Sequence, residues 1–258
     1  MAHQSLTKQL LESDKDGFQR ATQSPFLAAA ARGKVSRTVL GEWLANDRMY
    51  LHSYISGAGR ILATHHLPVN SALASASGVV SFIDWLIEGI ANVRREERLF
   101  IDTAARYGIG VDLPTSPDGT VADGAKLEGL RRFEKIFASR GETPHKGDIL
   151  PWLEDAVVYW ATEKCYLDAW SWAGKQAAGA GGDITADEDG GALRTEFIPN
   201  WSSQEFFDFV DRLGVIIDDA VNEMVKAGGD QVRSELVSRA QGKWKDVLAA
   251  EEAFWPKM

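Results

Sequence analysis

Cysteine is nearly absent from this sequence, which has a single one, Cys165, in 258 residues. One cysteine excludes an internal disulfide and any metal site built from several thiolates, so a reducing, intracellular compartment is expected. Basic residues are also scarce, with 28 Lys and Arg against 37 Asp and Glu and no basic run longer than two. The formal net charge of −9 argues against a nucleic-acid groove and against a patch for anionic membranes.

Long apolar runs are missing as well. The longest stretch without a charged residue, 61–83, contains two histidines, a proline and four serines, so it is not a membrane span. Glu12, Asp14 and Asp16 stand in the first turns of the chain, which fits neither a secretory signal nor an acid-poor transit peptide. We therefore expect a cytoplasmic protein.

The sequence also lacks strand-like alternation, glycine-rich phosphate loops and the Gly-x-Ser-x-Gly elbow of serine hydrolases. Helical spacing dominates instead, and Ser24-Pro25 and Ser36 are placed to start helices. The expected helices cover about 5–20, 25–32, 37–63, 70–107, 124–139, 148–175, 202–226 and 230–254. This pattern predicts an all-α multi-helix bundle in a single domain, 1–258, with exposed insertions near 112–124 and 177–192.

Three of these helices carry a carboxylate within an aromatic stripe at i, i+4, i+7 and i+11. The sets are Trp43, Asp47, Tyr50 and Tyr54; Tyr159, Glu163, Tyr166 and Trp170; and Trp244, Leu248, Glu251 and Trp255. If the three acids converge, they form a pocket that stacks a flat heterocycle and exchanges protons with it. The alternative is that each acid lies at the edge of an ordinary core seam, capping or pairing with an arginine.

Four segments resemble the TenA (thiaminase II-like) family and follow its order along the chain. They are SPFLAAAARGKVSRTVLGEWLANDRMYLHSY at 24–54, WATEKCYLDAW at 160–170, FIPNWSSQEFFDFV at 197–210 and EEAFW at 251–255. The resemblance implies the all-helical haem-oxygenase-like fold, hydrolysis of aminopyrimidines in thiamin salvage, and a homo-oligomer, either a dimer or a tetramer.

The resemblance also assigns roles to individual residues. Asp47 would hold the amino-pyrimidine edge, Tyr50 would line the ring, and Glu251 would be the proton-transfer acid. The remaining substrate-binding positions would be Tyr54, Tyr166 and Trp201.

One position separates this chain from the Cys-type subfamily. There a cysteine precedes a tyrosine by four residues, whereas here Thr162 precedes Tyr166 by four. The chain is therefore closer to the Glu-type subfamily, in which a carboxylate, here Glu163, would activate water. Cys165 would point away from the pocket as a small buried hydrophobe.

Metal and haem sites fit the sequence poorly. The only Glu-x-x-His spacing, Glu142 to His145, spans Pro144 in a turn, and the one histidine near the first helix is His3. We expect neither a metal nor a cofactor. Besides the hydrolase, the sequence leaves open a non-catalytic or divergent helical protein that binds a small heterocycle in the same pocket.

Overall fold

The structure is a computed structural model that describes residues 4–71, 77–141 and 148–258, and it is built from helices around one hydrophobic core. The helices are α1 (Leu6–Ser13), α2 (Lys15–Thr22), α3 (Pro25–Ala31), α4 (Arg37–Thr64), α5 (Gly78–Tyr107), α6 (Glu128–Ala138), α7 (Leu153–Ala180), α8 (Ile198–Trp201) and α9 (Gln204–Glu252). In the described residues no strand forms, and the only β-type pairing is an isolated bridge between Thr115 and Val121. The predicted all-α fold class is confirmed.

Helix starts follow the capping residues that the sequence marks. Ser24 and Ser36 accept hydrogen bonds from the backbone N–H groups of Leu27 and Val39, which satisfies first-turn donors of α3 and α4. At the other end of the chain, Gly229 adopts φ 71° and interrupts the helical geometry of α9. The two C-terminal helices that the sequence predicts are thus two halves of α9.

Some boundaries differ from the prediction. The first helix is split into α1 and α2 at Asp14, because the Asp14 carboxylate accepts from the Gly17 N–H and starts a new helix. The helix predicted from 148 begins only at Leu153. The candidate metal or haem ligands of the sequence, His3, Glu142 and His145, lie outside the described residues.

The prediction that 177–192 forms an exposed insertion is partly wrong. Its middle is exposed, but α7 continues to Ala180, and Asp189 is buried. The Asp189 carboxylate accepts from the N–H groups of Gly191 and Leu193 at 2.9 and 2.7 Å, and Asp187 pairs with Arg194. These bonds dock the segment, whereas most of 112–124 is exposed as predicted.

A tryptophan cluster joins the helices that carry the three predicted acids. Trp43 of α4 lies 5.4 Å from Trp170 of α7 and 5.9 Å from Trp255, which follows α9, between ring centroids. Trp201 of α8 lies 4.5 Å from Trp170. Because these large rings are almost fully buried, the relative positions of α4, α7, α8 and the end of α9 are fixed by packing. In the part of the chain described, no helix combines the length and apolar character needed to cross a membrane.

Candidate active site

The three predicted acids converge between α4, α7 and the end of α9. The Tyr166 hydroxyl donates to Asp47 Oδ2 at 3.2 Å, and this bond links α7 to α4. Burial raises the pKa of Glu251 well above its ordinary value, and the charges of Asp47 and Glu163 raise it further. Within the described residues Asp47 has a tyrosine, and not an arginine, as its hydrogen-bond partner. The aromatic stripes therefore bring their carboxylates together.

A fourth carboxylate, Glu96 of α5, belongs to the same cluster and was missed by the sequence. The Trp201 indole donates to Glu96 Oε1 at 2.6 Å. Burial raises the pKa of Glu96 to about 7, although this hydrogen bond opposes the shift. Its spacing from Val93 and Phe100 is helical and gives a weak signal. Residues 94–98 are all charged, which is typical of a solvent-exposed helix face. The sequence pattern therefore gave no indication that Glu96 is partly buried.

A cavity of about 620 Å³ opens beside the cluster, between α5, α7, α8 and the beginning of α9. Glu96 and Glu163 reach it, and Trp201, Phe206 and Phe209 supply aromatic walls. Its lining also includes Glu88, Asn92, Val93, Arg95, Leu99, Asn200, Ser203, Glu205, Asp208 and Arg212. The volume is in the range of small-molecule sites, which are mostly apolar and hold a few polar groups.

The predicted site residues thus fall into two sets. Glu163 and Trp201 line the cavity. The lining does not include Asp47, Tyr50, Tyr54, Tyr166 or Glu251. Four of these interact electrostatically with Glu163, and the fifth, Tyr166, donates to Asp47. The structure therefore puts one predicted catalytic carboxylate at the cavity and the other, Glu251, in the buried cluster.

Glu163 has the environment of a proton-exchanging group. Burial raises its pKa to about 8, and the charge of Glu96 contributes to the shift. The Tyr54 hydroxyl stands beside this carboxylate and favours its charged form, although the contact lacks the geometry of a full hydrogen bond. Burial, with repulsion from Glu96 and Glu163, likewise raises the pKa of Asp47 well above its ordinary value, against the bond from Tyr166. A carboxyl group with a pKa of about 8, as Glu163 has, can hold or release a proton near neutral pH.

The position expected to carry a thiol in the Cys-type pattern is occupied by Thr162. Its hydroxyl accepts a hydrogen bond from Tyr50 at 3.3 Å. Cys165 is fully buried, does not line the cavity, and has a pKa raised well above its ordinary value, first by burial and then by the charge of Glu251. This is the inert, buried thiol that the sequence predicts.

Metal ligands are not assembled in this region. In residues 4–71, 77–141 and 148–258, no group of three or more His, Cys, Asp or Glu side chains is arranged to hold a metal ion. The described donors at the cluster are Tyr166 to Asp47 and Trp201 to Glu96, with the Tyr54 hydroxyl beside Glu163.

Comparison with known proteins gives one sequence relative and several structural ones. No protein-family model matches the chain. A protein of Fusarium pseudograminearum (strain CS3096), named a probable transcription factor, is 25% identical over 251 residues, which cover 87% of this chain and 47% of that protein. This chain thus spans about half the length of that curated relative.

Solved structures match over nearly the whole chain. A TenA homologue from Pyrococcus furiosus has a TM-score of 0.66 at 20% identity, covering 97% of this chain and 98% of its own. A TenA homologue from P. horikoshii OT3 has a TM-score of 0.67 at 14% identity, with coverage of 98% and 97%. A TenA family transcription regulator from Silicibacter sp. TM1040 follows at 0.63 and 14% identity, with coverage of 97% and 94%. The chain therefore has the all-helical, haem-oxygenase-like fold of the TenA homologues.

Proposed function

We propose that the chain is a TenA-type hydrolase that cleaves a C–N bond of an aminopyrimidine-like heterocycle, with water as the nucleophile. The observation that carries this proposal is Glu163, a carboxyl group with a pKa of about 8 that lines an aromatic cavity and is backed by buried acids. The TenA fold and the matching segments of sequence support the same reading. We place the activity in the cytoplasm, with neither metal nor cofactor.

The cavity suits a small flat ring with N–H groups. Trp201, Phe206 and Phe209 offer rings for stacking, and aromatic pairs of this kind contribute about 1 kcal/mol beyond the area they bury. Glu96 and Glu163 offer carboxyl oxygens that accept hydrogen bonds from amino groups. A heterocycle that carries amino substituents can stack on the aromatic rings and donate hydrogen bonds to the two carboxyl groups at the same time.

The buried acids support the chemistry from behind the cavity. Hydrolysis of a C–N bond needs a group that takes a proton from water and a group that gives one to the departing nitrogen. Glu251 lies close enough to Glu163 for the two charges to interact, so the two carboxyl groups titrate as a coupled pair. In this proposal Glu163 acts at the cavity and Glu251 is its proton partner.

The first test is Glu251→Gln, which preserves shape and removes the titrating group. Turnover of an aminopyrimidine, followed by amine release, should fall about 100-fold or more, while the ligand Kd stays within a few-fold. Glu252→Gln is the matched control, because Glu252 is the next residue, is exposed and pairs with Arg20 at the surface. It should change neither quantity.

Two results would contradict the hydrolase. Equal turnover of the Glu251→Gln and Glu252→Gln variants would remove Glu251 from the mechanism. A wild-type protein that binds aminopyrimidines tightly but releases no amine would instead be the non-catalytic binder that the sequence leaves open.

A further inference from the structure

Glu96 and Glu163 differ from the other acids at the cavity. They approach it from α5 and α7, and both are partly buried. The remaining carboxylates of the lining, Glu88, Glu205 and Asp208, are exposed at the rim. A ligand in the cavity therefore meets two interior carboxyl groups from two different helices.

The neighbours of these two groups favour different charge states. An indole N–H can only donate, so Trp201 requires a lone pair on Glu96 Oε1 and stabilises the carboxylate form. Glu163 has acids around it, namely Glu96 and Glu251, together with the hydroxyl of Tyr54. Burial and repulsion from Glu96 favour the protonated form of Glu163 and outweigh the Tyr54 hydroxyl, which favours the charged form.

The arginines at the rim of the cavity do not reverse this difference in preferred charge state between Glu96 and Glu163. The cations of the lining are Arg95 and Arg212, both exposed at the rim. Arg212 lies 2.7 Å from Glu88, and Arg95 lies 3.8 Å from Glu205. Each therefore has an acid of the rim as its partner.

We propose that Glu96 is a further catalytic residue, the general base that takes a proton from the attacking water, and that Glu163 is the general acid. This assignment rests on the proposed function and gives Glu163 the opposite role to that expected from the resemblance. The water oxygen bonds to the ring-bearing carbon and its proton passes to Glu96. The C–N bond breaks, its electron pair stays on nitrogen, and the proton of Glu163 passes to that nitrogen. Glu251, the proton partner of Glu163, then returns a proton to Glu163, and the proton held by Glu96 passes to Glu251, which restores the starting state.

The two pKa values are compatible with these roles. Between the pKa of Glu96, about 7, and that of Glu163, about 8, the first group is mainly ionised and the second mainly protonated. The value of kcat/KM should rise with pH through about 7, as the base ionises, and fall through about 8, as the acid loses its proton.

Glu96→Gln distinguishes the two assignments by the shape of the remaining profile. If Glu96 is the base, kcat/KM should fall about 100-fold. The residual activity should lose its rise near pH 7 and keep its fall, displaced to lower pH because the charge of Glu96 no longer raises the pKa of Glu163. If the roles are reversed, the residual activity should rise with pH and show no fall. Glu97→Gln is the matched control, because Glu97 contacts His52 and Arg94 instead and is not part of the cavity lining. Glu97→Gln should retain both the rise and the fall of kcat/KM with pH.

A substrate with a quaternary nitrogen as leaving group gives an independent readout. Such a nitrogen departs as a neutral amine and needs no proton. Glu163→Gln should therefore cleave it within a few-fold of the wild-type rate, but should lose about 100-fold on a primary amine substrate. Glu96→Gln should lose activity on both. Equal losses of Glu163→Gln on the two substrates would overturn the assignment of the acid.

Failure of this inference is separable from failure of the proposed function. No amine release by the wild-type protein would overturn the hydrolase itself. An active wild-type protein whose Glu96→Gln variant keeps the wild-type profile would overturn only the role of Glu96. Infrared carboxyl bands near pH 7.5, assigned by the two Gln variants, should show Glu96 ionised and Glu163 protonated. The reverse would overturn the inference.

Discussion

At the scale of single residues, Trp201 sets the charge state of Glu96. Burial alone would leave this carboxyl protonated, and the indole hydrogen bond of 2.6 Å is the interaction that stabilises its ionised form. Trp201 also packs against Trp170 and Phe197, with ring centroids 4.5 and 4.8 Å away. One side chain thus connects the aromatic core to the carboxyl group of Glu96 at the cavity.

Trp201→Phe should therefore raise the pKa of Glu96. The ring remains for packing, but the N–H that favours the carboxylate is gone, so the acidic limb of kcat/KM should move to higher pH. Trp170→Phe is a matched control, because its buried indole nitrogen has no hydrogen-bond partner in the described part of the chain. If the acidic side of the kcat/KM profile moved equally in both variants, the change in aromatic packing, and not the lost hydrogen bond, would be the cause of the shift.

Residue identities could be predicted from sequence only where a periodic pattern exposed them. Asp47, Glu163 and Glu251 each interrupt an aromatic stripe, and the structure brings them together. Glu96 has charged neighbours on both sides in the chain, and its burial depends on the cavity and Trp201, which belong to distant parts of the sequence. No local pattern encodes that contact.

At the scale of helices, α6 holds the end of α9 through a backbone contact. The Gly129 N–H donates to the Ala253 carbonyl at 3.0 Å, and a Cβ at Gly129 would lie 2.4 Å from backbone atoms of Phe254. The same turn carries Glu251, so the position of this carboxylate depends on the close approach of the two helices. Glycine is required here for space.

Gly129→Ala should lower the free energy of unfolding by about 2 kcal/mol or more, because backbone atoms cannot move aside as a flexible side chain can. It should also reduce turnover by displacing Glu251. Gly59→Ala is the matched control in α4, where an added Cβ has nothing within 4 Å. It should stabilise the helix by about 0.5–1 kcal/mol. Chemical denaturation measures both values, and similar results for the two variants would refute the contact.

Helix positions were largely predictable because capping residues and glycines act locally. Ser24, Ser36 and Gly229 mark boundaries that the structure confirms. The split at Asp14 was missed, since the capping carboxylate lies within a continuous helical pattern. The docking of 177–192 was also missed, because Asp189 is satisfied by backbone groups that only the folded turn brings together.

At the scale of the whole molecule, one exposed face is apolar enough to join subunits. Phe207 and Val215 on α9 are 48% and 50% exposed and border a depression that Leu11 and Leu167 also line, together with the charged side chains of Lys164, Asp211 and Asp218. Large apolar side chains in a common surface patch are typical of subunit contacts. The homo-oligomer expected from the sequence remains a prediction, and this face is where we expect a contact.

Light scattering at micromolar concentration should give a mass well above the 28.3 kDa of one chain. Phe207→Glu should move the mass towards that of a monomer, because a charge cannot be buried unpaired in an apolar contact. Leu67→Glu, at another exposed apolar residue, should leave the mass unchanged. A wild-type monomer would refute the assembly, and an unchanged mass for Phe207→Glu would refute this face.

The buried acids make global stability depend on pH in an unusual direction. Glu96 and Glu163 have folded pKa values of about 7 and about 8, whereas an unfolded glutamate has a value near 4.5. As pH rises through this interval, the unfolded chain releases protons that the folded protein retains, so ionisation favours unfolding. The contribution of these two carboxyl groups to the free energy of unfolding is fully present below about pH 4.5 and is lost as pH approaches 8.

The melting temperature should therefore fall by several degrees between pH 5.5 and 8.5. Each pKa unit corresponds to about 1.4 kcal/mol, and about 1.5 units of the Glu96 shift lie above pH 5.5, so Glu96 alone accounts for a loss of about 2 kcal/mol in this range. Calorimetry of Glu96→Gln and Glu163→Gln should show a flatter dependence, because an amide does not titrate. Glu97→Gln should keep the wild-type slope in this range, since the lowered pKa of Glu97 places its effect at more acidic pH. A wild-type melting temperature that rises with pH would show that the cluster is ionised in the folded protein.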